Sequence, residues 1–366
     1  MSPRKGTIAI EEAVLNPEGI AWHSQTAAFF APPPQQATAA FSGADTGTSA
    51  TAPPSGGAHA LTAALLDIHG ERLARMDATG VEYMLLSLTS GGPQAEADPD
   101  RAAAMASTAN DWLAAEVAKN PSRFGALASL AMHDAHVAAA ELRRCVRDLG
   151  MLGAIVNDYQ DVYEDEARTV VGKAYYDDPK YHPFWAAVEE LGVPVYLHPR
   201  YPAKADLAPG ARYGPSKRQL LGAAVQFHLD LSYHVYALCS SGIFDRYPKV
   251  QVVIGHLGEG IPFNLWRADH WYNKPVKKKT RPSKEDYSYY FKHNISITTS
   301  GNFSTRGLKF CIEQLGVDRC LYSIDYPYDT IEEAQEWWKT VDLPDDQKEA
   351  VARANAIKLF KLPLEL

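Results

Sequence analysis

Short apolar or β-branched runs alternate along this chain with longer segments whose apolar positions recur at helical spacing. The runs are TIAIEEA from Thr7, VEYMLLSLT from Val81, RFGALASLAM from Arg123, LGAIVND from Leu152, VPVYLHP from Val193, KVQVVIGHLG from Lys249, NISITTSG from Asn294 and RCLYSIDYP from Arg319, eight in all. Their length and β-branched content read as buried strands. Amphipathic helical patterns fill the intervals at 61–78, 101–119, 135–149, 181–191 and 304–315, and Gly80, Gly150, Gly192 and Gly316 stand where a helix C-cap is expected. Eight strands alternating with helices predict a (β/α)8 TIM barrel. An open doubly wound sheet is disfavoured because no GxGxxG fingerprint follows the first strand. The GHLGEG stretch from Gly255 is a phosphate loop only superficially, since it carries a histidine and a carboxylate where such a loop needs bare backbone. The whole chain, 1–366, thus reads as one barrel domain. The last helical patterns, 331–340 and 345–360, close the barrel or join a subunit interface.

One stretch departs from this alternation. Residues 31–60 are almost wholly Ala, Pro, Gly, Ser and Thr, with Asp45 as the only formal charge. Such a composition buries too little apolar surface to offset its ordering entropy. A mobile insertion or lid over 16–60, after the first strand, is expected. Its flanking aromatics Trp22, Phe29 and Phe30 could pack on a nearby pocket, and a surface loop without a role fits equally well.

Composition narrows the class further. With 46% hydrophobic and 22% charged residues over 366 positions, the chain can bury a large core, which excludes disordered, collagen-like and disulfide-stapled proteins. Thirty-six Lys and Arg against 44 Asp and Glu leave a net charge of -8, which argues against nucleic acid or an anionic membrane as partner. The one basic run, Lys274, Lys277, Lys278, Lys279 and Arg281, reads as a solvated loop. No apolar run of about 18 residues is present, and the N-terminal segment turns acidic before any signal-like stretch develops, so a cytoplasmic location is expected. Cys145, Cys239, Cys311 and Cys320 show no CxxC spacing and lie in buried-looking segments, which speaks against disulfides, a thiolate zinc site or a nucleophilic cysteine.

Barrel active sites form at the C-terminal ends of the strands. The polar residues there are Glu11 and Glu12, Asn157 and Asp158, His198 and Arg200, His256 and Glu259, Thr299 and Ser300, and Asp325. Glu11, His198 and Asp325 offer an oxygen, nitrogen, oxygen set suited to one divalent ion with open positions, zinc ranked first and manganese or magnesium as alternatives. His256 and Glu259, three apart in a turn, suit a proton-handling dyad, or Glu259 simply caps the next helix. A two-metal hydrolase would be expected to carry HxH after the first strand and a lysine after the fourth; neither is present. Tyr201, Phe227, His228, Tyr233, His234 and the Trp266–Trp271 region suit a flat aromatic ligand, or a core or interface. Arg200, His234 and Asn157 are the polar candidates for contacting it.

The strings IAIEEA, MLGAIVND, VPVYLHPR, GIFDRYPKVQVVIGHLGEGIPF, WRADHW, ITTSGNFST and YSIDYPYD resemble the amidohydrolase-related non-oxidative decarboxylases of aromatic acids. The likeness is strongest to 2,3-dihydroxybenzoate decarboxylases, with salicylate and γ-resorcylate decarboxylases close behind, and runs from Gly6 to about Leu364. The resemblance implies an amidohydrolase-type barrel, one divalent metal and a homodimer or homotetramer. It places Glu11, His198 and Asp325 on the family's metal ligands, Asp325 also on its proton donor, His256 and Glu259 on its supporting dyad, and Arg267 on its substrate-carboxylate contact. Ala13 stands where some relatives have a further histidine ligand, which favours the dihydroxybenzoate and salicylate branches. The Ala/Pro-rich insertion departs from the family's shorter charged segment. The implied reaction is 2,3-dihydroxybenzoate to catechol and CO2, reversibly. Another hydroxylated aromatic acid, a mononuclear metal hydrolase of a lactone or ester, and an inactive barrel that binds a partner are the alternatives.

Overall fold

The computed structural model describes residues 6–24, 57–164 and 169–366. Most of the expected insertion lies outside the described residues. Its last positions, from Gly57, already belong to a helix.

All eight apolar runs form strands. They are β1 (Thr7–Val14), β2 (Val81–Leu88), β3 (Phe124–Ala126) with β4 (Ala128–Ser129), β5 (Ala154–Asn157), β8 (Val195–His198), β9 (Val252–Ile254), β10 (Ile295–Thr298) and β11 (Cys320–Leu321). These strands pair in parallel, in the orders β1-β2-β3 and β4-β5-β8-β9-β10-β11. The third run is interrupted at Leu127, whose amide donates to Leu86 O at 2.9 Å, so one continuous strand carries both ladders. Among the described residues no ladder joins β11 to β1. One main-chain bond, from Ala13 N to Tyr326 O at 2.7 Å, and several side-chain bonds bridge that seam instead. The Glu12 carboxylate accepts from the amides of Ile324 (3.0 Å) and Tyr326 (3.1 Å) and from Ser323 Oγ (3.1 Å), while Ser323 Oγ accepts from the Glu11 amide at 2.8 Å. The architecture is a (β/α)8 barrel.

Helices alternate with the strands: α1 (Gly57–Leu66), α2 (Glu71–Thr79), α3 (Pro99–Lys119), α4 (Ala135–Arg147), α5 (His182–Leu191), α6 (Gln226–Ser240), α7 (Ile261–Tyr272), α8 (Thr305–Leu315) and α9 (Ile331–Thr340). Their ends follow local chemistry. Asp98, Asp134 and Ser304 accept main-chain N–H bonds as N-caps, and left-handed Gly80 and Gly192 stop α2 and α5. The single helix expected over 61–78 is broken, because Asp67 Oδ atoms bond the amides of Gly70 (2.8 Å) and Arg72 (2.9 Å) and turn the chain between α1 and α2. The pattern at 345–360 is one helical stretch with a π turn at Ala350–Ala354. The basic run is a short exposed helix, Pro275–Thr280, rather than a loop.

An antiparallel hairpin of β6 (Gln160–Glu164) and β7 (Thr169–Ala174) follows β5 and has no counterpart among the expected strands. Its residues are largely polar or half-exposed, so no apolar run announces it.

Two cores hold the barrel. Ile8, Ile10, Leu85, Leu127, Ile155, Tyr196, Val253 and Leu321 fill the interior, joined by Ile357, Phe360 and Leu362 from the last helical stretch. That stretch plugs the end where the strands begin; there Arg353, 3% exposed, reaches Glu82 Oε2 at 3.2 Å. A larger apolar layer lies between strands and helices, with Met84, Leu86, Phe124, Leu142, Phe184 and Leu308 among its members. All four cysteines are buried and free, and no described helix is long and apolar enough to cross a membrane.

Candidate active site

The site begins with an irregularity in β1. Ala9 pairs with Met84 and Glu12 with Leu86, so β1 takes three steps where β2 takes two. The extra residue at Ile10–Glu11 re-aims the strand. Two adjacent, buried carboxylates are thereby separated: Glu12 goes into the seam and Glu11 faces the histidines at the ends of the following strands.

His198 ends β8. Its Nδ1 lies 2.6 Å from the Pro199 carbonyl, which can only accept, so Nδ1 carries a proton, and burial, which pulls the ring down, is outweighed by Glu11, which raises it above an ordinary imidazole. The ring's Nε2 is 3.2 Å from Glu11 Oε1. The other carboxylate oxygen, Oε2, accepts from the Tyr196 hydroxyl, with Thr298 Oγ1 3.4 Å away. His256, after β9, donates from Nδ1 to Glu259 Oε1 at 2.6 Å, and its Nε2 lies 3.9 Å from both Glu11 Oε1 and Asp325 Oδ2. Glu259 is therefore the imidazole's partner, and Gly260 takes the N-cap position of α7 with no side-chain cap.

The backbone holds these groups in conformations that L residues seldom adopt. Residues 256 to 260 are all left-handed, with φ of 54°, 58°, 77°, 56° and 73°, and Asp325 has φ 81°. Such non-glycine residues cost about 1–3 kcal/mol each and persist where surrounding structure over-determines them. Here Leu257 N donates to Thr298 O (2.8 Å), Asn302 Nδ2 to His256 O (3.2 Å), and Tyr328 N to Asp325 O (2.8 Å). Glycines make the room. A Cβ on Gly255 would stand 3.0 Å from Glu11 Oε2, and one on Gly301 would stand 3.2 Å from Asp325 Oδ2.

Electrostatics divide the two carboxyls of this cluster. Burial alone would raise Glu11, but the His256 and His198 rings outweigh it and hold the group at about 2. At Asp325 burial prevails over His256, and ionised Glu11 adds to it, lifting the carboxyl to about 6. Burial pulls His256 down, yet Glu259 and Glu11 more than reverse it and raise it well above an ordinary imidazole.

These residues fit a cation. Glu11 Oε1 and Ser300 Oγ are buried and make no well-aligned hydrogen bond among the described residues, and the His198 Nε2 that faces Oε1 at 3.2 Å is the nitrogen that would give up its proton to a cation. Glu11, His198 and Asp325 are the donors that could hold it. They converge without closing: among the described residues no three His, Cys, Asp or Glu side chains already stand at metal-ligand spacing.

The amidohydrolase family model matches residues 57–362. The chain belongs to the amidohydrolase family. Gamma-resorcylate decarboxylase of Rhizobium sp. (strain MTP-10005) is 42% identical over 301 residues, 81% of this chain and 88% of the relative. The crystal structure of dihydroxybenzoic acid decarboxylase from Polaromonas sp. JS666, with bound manganese and the inhibitor 2-nitroresorcinol, matches with a TM-score of 0.83 at 36% identity over 98% of each chain. That of a 2,6-dihydroxybenzoate decarboxylase complexed with 2,6-dihydroxybenzoate gives 0.82 at 38% identity, over 98% of this chain and 99% of that one.

In this amidohydrolase the structure brings Glu11, His198, His256, Glu259 and Asp325 together from four strand ends. Asn157 stays beside them, paired in register with His198, its Oδ1 accepting from Ser90 Oγ at 2.9 Å. Three expected substrate contacts do not join the cluster. Arg200 is held by Asp161 Oδ2 (2.9 Å) and the Tyr159 carbonyl (2.7 Å), over the Tyr159 ring. His234 is wholly buried, accepting from the Tyr176 amide at Nε2 (3.0 Å) and donating to Asp158 at Nδ1 (3.0 Å), so both nitrogens are engaged. Arg267 lies on the exposed face of α7, beside Trp266, which is 75% exposed and stacked on His270. The Trp266–Trp271 region accordingly lies at the outer surface, whereas Tyr201 and Phe227 pack edge to face at 5.2 Å. An apolar cavity of about 320 Å³ between the loop after β1 and α3, lined by Asn16, Trp22, Leu88 and Met105, contains none of the cluster residues. Tyr196, Thr298 and Gly301 had no role assigned from the sequence, and Gly255 stood out only as the start of a superficial phosphate-loop likeness. Tyr196 had a signal: it precedes His198 by two, on the same face of the strand.

Proposed function

We propose that this amidohydrolase catalyses the metal-dependent, non-oxidative decarboxylation of an ortho-hydroxybenzoic acid. The carrying observation is the convergence of Glu11, His198, His256 and Asp325 at one barrel mouth, with His256 Nε2 3.9 Å from both carboxyls and His198 Nε2 3.2 Å from Glu11. The named relatives support the reaction class. They also favour 2,6-dihydroxybenzoate over 2,3-dihydroxybenzoate as first substrate, and manganese over zinc as first metal. Ala13 keeps the 2,3-isomer as second choice.

Glu11 Oε1, His198 Nε2 and Asp325 would hold the ion, which when bound supplies positive charge to the substrate's carboxylate and neighbouring phenolic oxygen. Asp325 presents its proton to the ring carbon that bears the carboxylate. The bond from that carbon to the carboxyl carbon then breaks, its electron pair restores the aromatic ring, and CO2 leaves. Asp325 regains a proton from solvent. His256, fixed in orientation by Glu259, stabilises the negative charge of ionised Glu11 and Asp325 across 3.9 Å.

The reading includes a homodimer or homotetramer, supported by the exposed Phe263, Trp266, Trp271 and Val276 on and after α7, and a cytoplasmic location. Product analysis tests the reaction: manganese-loaded protein is incubated with 2,6-dihydroxybenzoate, 2,3-dihydroxybenzoate and salicylate, with and without a strong chelator. The expected result is the decarboxylated phenol plus CO2, lost on chelation. Intact substrates with metal bound would refute it.

A further inference from the structure

Glu11 has two oxygens, and the structure treats them differently. Oε2 accepts from the Tyr196 hydroxyl, and Thr298 Oγ1 stands 3.0 Å from that hydroxyl and 3.4 Å from Oε2 itself. Tyr196 has one hydroxyl proton. Given to Glu11, it leaves the phenolic lone pairs to accept from Thr298, so the two hydroxyls form a chain ending on Oε2. Both side chains are wholly buried, and the Tyr196 ring is wedged among Ile10, Leu85, Ile155 and Val253 in the barrel interior, which denies it another rotamer. Gly255 contributes by omission, since a Cβ there would crowd both Oε2, at 3.0 Å, and the Tyr196 hydroxyl, at 3.2 Å. Oε1, by contrast, makes no well-aligned hydrogen bond among the described residues and faces only the His198 Nε2 across 3.2 Å.

We propose that Tyr196, braced by Thr298, is a positioning residue that anchors Glu11 by Oε2 and thereby leaves Oε1 alone to meet the divalent ion. The inference rests on the reading of Glu11 as a metal-binding residue. Without the phenol, the carboxylate is free to pivot about its last side-chain torsion and lose the single approach that the ion requires. Partners of this kind typically change metal affinity by about 10- to 100-fold.

The test is Mn2+ affinity of chelator-stripped protein, by isothermal titration and by the electron paramagnetic resonance signal of free Mn2+, for wild type, Tyr196→Phe, Thr298→Val, Thr298→Ser and Glu11→Gln. Tyr196→Phe is expected to bind Mn2+ about 10- to 100-fold more weakly, with an altered bound-Mn2+ spectrum and a turnover that recovers as Mn2+ is raised to saturation. Thr298→Val should weaken binding less, and Thr298→Ser, which keeps the hydroxyl, should restore it. Wild-type affinity in Tyr196→Phe with loss of Mn2+ in Glu11→Gln overturns the proposal and leaves the ligand reading intact. Wild-type affinity in Glu11→Gln overturns both. Should the phenylalanine variant fail to fold, equal affinities of Thr298→Val and Thr298→Ser overturn the proposal.

Discussion

Replacing Gly255 by alanine places one methyl group against the carboxylate on which the site depends. Gly255 is not in the left-handed region, so its backbone accepts the change and the clash is the main effect. The new Cβ would stand 3.0 Å from Glu11 Oε2, where ordinary contacts begin at 3.4 Å, so the carboxylate must yield by about 0.4 Å. It cannot yield freely, because Oε2 is tied to Tyr196. Overpacking of this type costs about 1–3 kcal/mol, and the stiffer unfolded chain returns about 0.4–1 kcal/mol, leaving a net loss of roughly 1–2 kcal/mol. A chain of 366 residues has an unfolding entropy near its midpoint of roughly 0.8 kcal/mol per kelvin. The expected fall in Tm is therefore only about 1–3 °C. Activity is the more sensitive readout: since a misplacement of about 1 Å can cost about 100-fold, a shift of some tenths is expected to cost on the order of tenfold in kcat/KM. Calorimetry and initial rates should be run beside Gly172→Ala, whose added Cβ would meet nothing within 4 Å. If Gly255→Ala matches that control in both measurements, the packing of Glu11 against Gly255 is not what the geometry says it is.

Protonated Asp325 is the reactive form, and burial lifts its carboxyl above the ordinary range, so kcat/KM should fall with rising pH, about tenfold per pH unit above the carboxyl's pKa in the metal-loaded enzyme. A flat rate profile from pH 5 to 8 would remove Asp325 from the acid role. Asp325→Asn should retain substrate binding and lose turnover by several orders of magnitude, which equilibrium binding and single-turnover kinetics separate. Glu259→Gln removes the acceptor charge on His256 Nδ1, 2.6 Å away, and should lower kcat at least tenfold while Tm moves little, as rates and a melting curve would show. At the opposite end of the barrel, Glu82→Gln leaves buried Arg353 with only the more distant Glu349 carboxylate, 3.9 Å away, and should cost about 3 kcal/mol, the low end for a broken buried pair, a drop of roughly 4 °C in Tm, with wild-type rates at 25 °C; an unchanged Tm would show that the pair carries no stability.

The barrel was legible because its strands are short apolar runs bounded by helical patterns and caps, and both signals are local. Val252–Ile254 or Val195–His198 has to be buried on both faces wherever it goes, and a helix capped by Asp98 or stopped by Gly192 needs no distant partner. The polar residue at each strand end was readable for the same reason, since strand direction alone puts Glu11, His198, His256 and Asp325 at one mouth. What those side chains meet there is decided by partners far away in the chain. Glu11 and Glu12 are neighbours of one type, and only the irregular pairing of β1 with β2 sends one to the histidines and the other to the amides of Ile324 and Tyr326. Arg200 and His234 looked available until Asp161 and Asp158 were placed beside them, Asp161 from a hairpin too polar to stand out as strands. Periodicity records which face of an element is wet. A histidine raised by a buried carboxylate, an orphaned oxygen or a carboxyl lifted to about 6 comes instead from burial and charge assembled across the barrel, and these exist only once the chain has closed on itself.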